Sequence, residues 1–323
     1  MRTSRMAFCH FVYLFLPLFL YTMHATAQNL PINRKVVVTV DDLPKGGTLL
    51  GAEHIAYINE QLLAVLTERG IPAIGFVNES KCYDEAGNTI DSQLQMLRNW
   101  AAAGLELGNH GYQHLDINRV PVEKYLSDIK AGEPLSKALL QEFKLPCRYY
   151  RHPFLHRRNT DAKRATLAAY LAAQGYTEAP VTVDNQEWIY NAAYEKAFKE
   201  GQDSLAAAIG EDYVQYMIAM QRYYESQSEM LFGRNIDHSM LIHVNRLNAD
   251  YFELLVEEYE NLGYSFISLE EALKDPAYQH TDDFVGNAGI TWLHRWAITD
   301  GKRGSFFAGE PTAPDWVKSY AGY

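Results

Sequence analysis

The most constraining feature of this sequence is the run KVVVTV at residues 35–40, which stops at two aspartates, Asp41 and Asp42. A run of β-branched residues without a polar face predicts a strand covered on both sides, as in a parallel sheet. Helical spacing of apolar residues follows over 52–69, and a second apolar run follows at 73–77. The chain therefore begins as a strand–helix–strand unit whose first strand ends in two carboxylates.

Strand-like and helix-like segments continue to alternate along most of the chain. This alternation predicts parallel strands joined by right-handed crossovers, in a barrel or an open α/β sheet. A largely helical insertion lies between residues 190 and 234. Its aromatic and methionine residues recur every three or four positions, which predicts burial of one side, with a sugar-stacking wall as the alternative. The other predicted segments are helices at 91–103, 121–143, 160–174 and 249–262 and strands at 105–108, 148–151, 178–184, 239–243 and 264–267.

The first 27 residues are typical of a secretory signal peptide. Arg2 and Arg5 precede an apolar stretch that is too short for a membrane span, and an Ala-x-Ala sequence ends it at 25–27. We therefore expect an exported protein, periplasmic or secreted, without a membrane span after the signal is removed. We expect one catalytic domain at 28–275 and an extension at 276–323 packed on the barrel.

The charge balance excludes one class of partner. The chain has 40 acidic and 29 basic residues and a net charge of −11, and it lacks the clustered lysine and arginine that nucleic-acid binding requires. Beyond the signal, two cysteines remain, Cys82 and Cys147. In an exported protein they either pair as one disulfide or stay as two thiols, and the sequence leaves both open.

Polar side chains stand where the predicted strands end. In α/β barrels, the carboxyl ends of the strands and the loops after them build the active site. Any one such residue is compatible with a structural role, such as a turn or a helix cap. Their recurrence at the same end of one sheet predicts a catalytic site there. The residues are Asp41, Asp42, His110, His114, Arg151, Asp184 and His243.

The residue types at this edge suit metal-assisted hydrolysis. Consecutive carboxylates point in opposite directions in an extended chain, so one can bind a metal while the other handles a proton. His110 and His114 are four residues apart, which on a helix places both imidazoles on one face. One aspartate and two histidines make a three-ligand site that leaves positions for water and a substrate carbonyl. Such a metal activates water, and His243 on the opposite rim is a candidate general acid.

The order of these motifs resembles the NodB-type polysaccharide deacetylases, which are carbohydrate esterase family 4 enzymes. The resemblance runs from about residue 35 to 274, apart from the insertion. Five ordered motifs at such spacings are far more specific than any one of them. They are TVDD at 39–42, NHGYQH at 109–114, RHP at 151–153, DNQEW at 184–188 and LIH at 241–243.

The resemblance implies a distorted (β/α) barrel of the NodB type and a divalent metal, usually zinc. Asp42, His110 and His114 are implied as the metal ligands. Asp41 is implied as the general base that activates water, and His243 as the general acid that protonates the departing amine. The implied reaction is hydrolysis of N-acetyl groups on N-acetylglucosamine units of a glycan, with release of acetate.

The resemblance also implies roles around these residues. Arg151 is implied to hold the general base in place through a charge-assisted pair. An acidic residue of the fourth motif is implied to hold Arg151, and Asp184 and Glu187 both remain candidates. Trp188 and Leu241 are implied to line the groove and the pocket for the acetyl methyl group.

The chain departs from the family pattern at four positions. Leu43 replaces the usual glycine after the aspartate pair, and Gly111 replaces the hydroxyl residue that commonly braces the histidine loop. Leu155 replaces the final glycine of the third motif, and Glu187 stands where aspartate is usual. None of these changes removes an implied ligand, base or acid, so they bear on substrate preference more than on activity.

Other functions remain open at this stage. Peptidoglycan, chitin oligomers and exopolysaccharide are all possible glycans for a deacetylase. An O-acetyl esterase acting on xylan or another polysaccharide would use the same site, and a non-catalytic glycan-binding protein would keep the fold. The aromatic segment at 291–296 either packs the extension onto the barrel or reaches the cleft to stack on sugar. The oligomeric state is not indicated.

Overall fold

The computed structural model describes residues 34–49, 51–157 and 159–323. The signal peptide predicted for residues 1–27 lies outside them. In the described ranges the strands are β1 (Arg34–Leu43), β2 (Ile74–Val77), β3 (Glu106–Asn109), β4 (Tyr149–Tyr150), β5 (Thr177–Glu178), β6 (His238–His243) and β7 (Tyr264–Phe266). The helices are α1 (Ala52–Glu68), α2 (Asp91–Ala102), α3 (Val122–Ala131), α4 (Pro134–Glu142), α5 (Asp161–Ala173), α6 (Glu187–Lys199), α7 (Asp203–Phe232), α8 (Arg246–Asn261), α9 (Leu269–Ala272), α10 (Trp292–Thr299) and α11 (Asp315–Ala321).

The strands form one parallel sheet in the order β5-β4-β3-β2-β1-β6, and β7 pairs with β1. Helices connect successive strands, so the predicted α/β fold, a distorted (β/α) barrel with a helical insertion, is confirmed. No helix in the described ranges has the length and hydropathy needed to cross a membrane.

Strand β1 is an interior strand that pairs with β2, β6 and β7, as its composition predicts. Its four valines, at positions 36, 37, 38 and 40, are fully buried. Burial of each such side chain contributes roughly 1.5–3 kcal/mol to folding. Thr39 lies opposite Leu241 of β6, and Asp41 lies opposite His243. This register places the ends of the first and fifth motifs side by side.

The helix predicted at 121–143 is wrong in one respect, because the structure has two helices, α3 and α4. Pro134 is the first residue of α4, where its missing N–H costs nothing. Gly132 lies between the helices, and a Cβ atom built on it would approach the backbone of Gly111 to 2.6 Å. The break therefore lets the loop after β3 pass close to the backbone.

The strand predicted at 178–184 is also shorter than expected. Only Thr177–Glu178 pair as β5, beside β4. Farther along, Val183 forms an isolated parallel bridge with Met240 of β6, and the Leu241 N–H donates to the Val183 carbonyl at 3.2 Å. The segment pairs with one edge of the sheet at its start and with the other edge at its end, which closes the barrel.

The insertion and the extension both pack on this core. The insertion consists mainly of α6 and α7, and one face of α7 is buried, through residues such as Tyr213 and Met217, as predicted. In the extension, Trp292 and Trp296 are buried in the main hydrophobic cluster, so the aromatic segment at 291–296 serves packing. Cys82 and Cys147 are present as free thiols.

Candidate active site

The carboxyl ends of the strands surround one cleft of about 520 Å³. The strand register accounts for this convergence: Asp41 lies beside His243, His110 directly follows β3, and Asp184 follows the bridge to β6. Eight of the nine residues singled out from the sequence line the cleft, and Arg151 lies buried beneath it. The lining residues are Asp41, Asp42, His110, His114, Phe154, Leu155, Asp184, Asn185, Trp188, Leu241, His243 and Gly289.

The two aspartates end β1 where its pairing becomes irregular. The register with β2 shifts between Val40 and Leu43, and Asp42 adopts a left-handed backbone with φ of 76°. Non-glycine residues rarely adopt this conformation, which concentrates at functional sites. Asp41 Oδ2 lies 3.7 Å from His110 Nε2, and Asp42 Oδ1 lies 3.8 Å from His114 Nε2. Each carboxylate therefore faces one imidazole.

The two histidines lie on a loop, so the helical arrangement considered from their spacing is wrong. Gly111 and His114 both have positive φ, at 77° and 56°, and they turn the loop back toward β1. A Cβ atom at Gly111 would lie 2.5 Å from Asp128 Oδ2. Because both the positive φ and this close approach favour glycine, Gly111 is a structural requirement of the loop.

Two side chains brace the histidine loop in place of the missing hydroxyl. Asn109 Oδ1 accepts a hydrogen bond from the Gly111 N–H at 2.7 Å. The Asp128 carboxylate accepts hydrogen bonds from the N–H groups of Tyr112 and Gln113, at 3.0 and 2.9 Å. These bonds fix the backbone that carries both imidazoles.

Asp42, His110 and His114 have the donors and the spacing of a metal site, since one ligand atom from each lies within 4.8 Å of the others. His110 Nδ1 donates to the Arg151 carbonyl at 2.8 Å, which leaves the lone pair of Nε2 free to bind a metal. Burial lowers the pKa of His110 to about 3 and that of His114 to about 4, so both rings are neutral near pH 7. Neutral imidazoles are the form that binds metals.

Buried oxygens without hydrogen-bond partners support the same assignment. Asp41 Oδ1 and Asp42 Oδ1 are buried and accept no hydrogen bond. Orphaned buried acceptors are costly, and an ion or a water is their usual partner. Burial alone would raise the pKa of Asp42, but Lys81 and the neighbouring histidines hold it well below its usual range. The residues present therefore fit a divalent metal.

Arg151 lies beneath the cleft and is fully buried. One guanidinium nitrogen lies 3.6 Å from Asp41 Oδ2, and another donates to Thr39 Oγ1 at 2.9 Å. The guanidinium also lies over the Phe76 ring, with its Cζ 4.6 Å from the ring centroid. Burial lowers the pKa of Arg151, which the charge of Asp41 opposes. Arg151 thus gives Asp41 a fixed positive neighbour on the side away from the cleft.

The sequence left Asp184 and Glu187 as candidate partners of Arg151, and the structure shows neither in direct contact with it. Neither Asp184 nor Glu187, both described residues, comes within 4.0 Å of Arg151. Asp184 acts on Arg151 through its charge alone. Burial raises the pKa of Asp184 to about 6. Glu187 instead contacts His243, a pairing that sequence reasoning missed.

Glu187 is the centre of a buried hydrogen-bond network. Its carboxylate accepts from His243 Nδ1 at 2.7 Å, from Asn248 Nδ2 at 2.8 Å and from Asn245 Nδ2. Burial alone would lower the pKa of His243, but the Glu187 carboxylate raises it to about 9. His243 is therefore protonated near pH 7, and the bond at Nδ1 directs Nε2 away from Glu187.

Aromatic side chains flank the cleft on two sides. Phe154 is 53% exposed and its ring lies 4.5 Å from that of His114, in an edge-on arrangement. Trp188 is 48% exposed and contacts Tyr323, which is 65% exposed, with ring centroids 4.9 Å apart and planes at 90°. Leu241 is buried in the cleft floor. The cleft therefore offers apolar rings on either side of a charged centre.

The third-motif loop is held by the extension. Phe154 and Leu155 both have positive φ, at 59° and 53°. A Cβ atom at Gly289 would lie 1.9 Å from the Phe154 carbonyl oxygen, so only glycine fits there. Phe154, Gly289 and Lys81 were not identified from the sequence, because their positions depend on contacts between distant segments.

Comparison with known proteins gives a family match over the part of the chain that contains the first three motifs. Residues 29–176 match the polysaccharide deacetylase family, a match of just under half of the chain that ends before the fourth and fifth motifs. No curated protein matches the sequence.

The solved structures that match this chain are remote in sequence. A family 4 carbohydrate esterase from Streptomyces lividans, in complex with acetate, has 18% identity and a TM-score of 0.46 over 75% of this chain and 96% of that chain. The peptidoglycan deacetylase PdaC from Bacillus subtilis has 17% identity and a TM-score of 0.44, covering 75% and 92%. A family 4 pseudoenzyme from Bacillus anthracis has 12% identity and a TM-score of 0.45, covering 76% and 66%. The chain is therefore similar to the polysaccharide deacetylase family over residues 29–176, and the motifs that follow this match in the sequence line the same cleft.

Proposed function

We propose that this protein is a metal-dependent deacetylase that hydrolyses N-acetyl groups of N-acetylglucosamine units in a glycan and releases acetate. The observation that carries the proposal is that one cleft holds both a set of candidate metal ligands and a histidine that carries a proton. The Asp42 carboxylate and the neutral imidazoles of His110 and His114 lie on one side, and a protonated His243 lies on the other. Hydrolysis of an amide needs both activation of water and protonation of the leaving amine.

The proposed metal ligands are Asp42, His110 and His114, and zinc is the proposed ion. When bound, the metal supplies a Lewis acid that polarises the acetyl carbonyl and favours deprotonation of water. Asp41 is the proposed general base. Asp41 lines the cleft, and its buried Oδ1 accepts no hydrogen bond, so this oxygen has a lone pair free for a proton from water.

His243 is the proposed general acid. Its pKa of about 9 keeps a proton available at neutral pH, where the leaving amine needs one. Glu187 is a positioning residue, because it fixes the ring through Nδ1 and stabilises its charged form. Arg151 is a second positioning residue, since it holds a positive charge behind the proposed base. Asp184 adds negative charge near both His243 and Arg151.

The walls of the cleft favour a glycan over a small acetylated metabolite. Exposed aromatic rings present flat apolar faces, which suit the flat faces of sugar rings. Trp188 and Leu241 line the part of the cleft near His243 and are the proposed contacts for the acetyl group and its sugar. Tyr323 extends the surface of Trp188 beyond the cleft.

Acetate release from N-acetylglucosamine oligomers tests this proposal. We expect release by the wild-type protein and loss of at least about 10²-fold in kcat for Asp41→Asn, because general-base catalysis contributes this much. Oligomer binding should persist in Asp41→Asn, since the substitution keeps size and shape. Release from acetylated xylan alone would contradict N-deacetylation and identify an O-acetyl esterase. Oligomer binding without release from either substrate would identify a glycan-binding protein.

We also propose that the chain is exported and that residues 1–27 are removed. Sequencing the amino terminus of the protein recovered from the periplasm and from the medium tests this. We expect a chain that begins at Gln28. Recovery of only the uncleaved protein from the cytoplasm would contradict export.

A further inference from the structure

Lys81 reaches one of the proposed metal ligands from outside the five motifs. It lies in a short 3₁₀ turn, Glu79–Cys82, directly after β2. Its Nζ lies 3.0 Å from Asp42 Oδ1 and donates a hydrogen bond to the Asp42 carbonyl at 3.1 Å. The same Oδ1 atom faces His114 Nε2 at 3.8 Å. The ammonium charge therefore acts on the oxygen that faces the other ligands.

The turn that carries Lys81 is fixed to its surroundings. The Glu79 carboxylate is fully buried and accepts hydrogen bonds from the N–H groups of Leu135 and Ser136, at the start of α4, at 3.1 and 2.7 Å. The Ser80 N–H donates to the Tyr112 carbonyl of the histidine loop at 3.1 Å. The backbone that carries Lys81 is thus held against both α4 and the histidine loop.

Lys81 acts on the Asp42 carboxylate through charge rather than through a directed bond. Oδ1 lies at ion-pair distance from Nζ but accepts no hydrogen bond, so the directed bond goes to the Asp42 carbonyl instead. Lys81 is also absent from the residues that line the cleft.

We propose that Lys81 is an internal counterion that sets the metal affinity of this site. In the metal-free protein its charge compensates the Asp42 carboxylate. When a divalent cation binds the same oxygen, the ammonium lies close to a like charge, and repulsion at such a short distance is large. Lys81 therefore stabilises the metal-free protein and weakens metal binding. This inference rests on the metal site of the proposed function.

The test measures zinc affinity and metal-free stability, without any glycan. Lys81→Gln removes the charge and keeps a donor for the Asp42 carbonyl, and Lys81→Met removes both. In competition with a chromophoric chelator, we expect Zn²⁺ to bind both variants more tightly than wild type, by roughly tenfold or more. The Tm of both metal-free variants should fall. Lys81→Arg keeps the charge and should bind zinc like the wild-type protein.

Lys45→Gln is the matched control. Lys45 lies in the turn just after Asp42, and in the described residues its ammonium forms no ion pair within 4.0 Å. It should leave zinc affinity unchanged. Equal or weaker zinc binding by Lys81→Gln would overturn the inference, since loss of a merely supporting contact weakens metal binding, by about 10–100-fold. Zinc binding without acetate release would overturn the proposed function alone, and no zinc binding by wild type would overturn both.

Discussion

The two sides of the cleft use the same residue types in opposite ways. On the β1 side, burial lowers the pKa values of His110 and His114 to about 3 and 4, and oxygens of both aspartates lack hydrogen-bond donors. On the β6 side, the pKa of His243 is raised to about 9, and three side-chain donors surround the Glu187 carboxylate.

This difference shows how environment assigns a role to histidine. On the β1 side neither Asp41 Oδ1 nor Asp42 Oδ1 accepts a hydrogen bond, and the Lys81 ammonium 3.0 Å from Asp42 Oδ1 shows that this oxygen suits a cation. On the β6 side the carboxylate is already satisfied, and its charge stabilises a proton on the ring. When an active site needs both an acid and a base, the pKa values of its titratable groups are expected to be shifted in opposite directions.

Substitution of a proposed ligand should break the β1 side and have the largest effect. We expect His114→Gln to lose stoichiometric zinc and at least about 10³-fold in acetate release, because one of three ligands is gone. Zinc content after dialysis and acetate release are the two measurements. His156→Gln is the control, since His156 pairs with Asp116 and does not line the cleft. Full zinc content in His114→Gln would contradict its role as a ligand.

Removal of the Glu187 charge should break the β6 side while leaving the β1 side intact. Because the raised pKa of His243 keeps it protonated up to about pH 9, wild-type activity should fall only above that value. In Glu187→Gln the pKa of His243 falls, so this alkaline limb should move to lower pH. We expect kcat at pH 8 to drop about 10–100-fold, less than the roughly 10²–10⁴-fold that general acid–base catalysis contributes, because part of the His243 population stays protonated.

Glu195→Gln controls for the loss of a buried carboxylate on the same helix. Glu195 lies on α6 and accepts from the Thr48 N–H at 2.7 Å, away from the cleft-lining residues. Its pH–rate profile should match that of the wild-type protein. An unchanged alkaline limb in Glu187→Gln would show that His243 does not donate the proton.

Removal of the Tyr323 ring should have the smallest effect, and it should leave the charged groups on the β1 and β6 sides of the cleft unchanged. Tyr323→Ala deletes the outer half of the Trp188–Tyr323 pair, and such ring contacts contribute about 0.5–1.5 kcal/mol. We expect KM to rise about 2–10-fold for long N-acetylglucosamine oligomers and to stay constant for the shortest ones. Met230→Ala, at another exposed apolar residue, should change neither value. An equal change for all oligomer lengths would contradict a role for Tyr323 in binding the outer sugars.

The sequence predicted the sheet and the end of it that carries the site, for a simple physical reason. A β-branched run that stops at polar residues marks both a buried strand and the end of it that carries polar groups, as at Asp41 and Asp42. The order of motifs then indicated which polar residues meet. These features are local, so a linear pattern contains them.

Contacts between distant segments were beyond such patterns. The partner of Glu187 depends on where α6 begins, which Asn185 helps to set by accepting from the Glu187 N–H at 3.0 Å. The break between α3 and α4 depends on the close approach of Gly132 to Gly111, more than twenty positions away in the sequence. Lys81 reaches Asp42 only because its turn is pinned to α4. None of these residues has a spacing that indicates its partner.

Metal return to chelated protein tests the division between the two sides most directly. Wild type and Glu187→Gln would be stripped with a chelator and titrated with Zn²⁺, with bound zinc and acetate release recorded in the same samples. We predict one zinc per chain in both proteins, with acetate release at pH 8 fully restored only in wild type. Release that survives chelation, or loss of zinc binding in Glu187→Gln, would contradict the assignment of metal binding and proton donation to separate sides of the cleft.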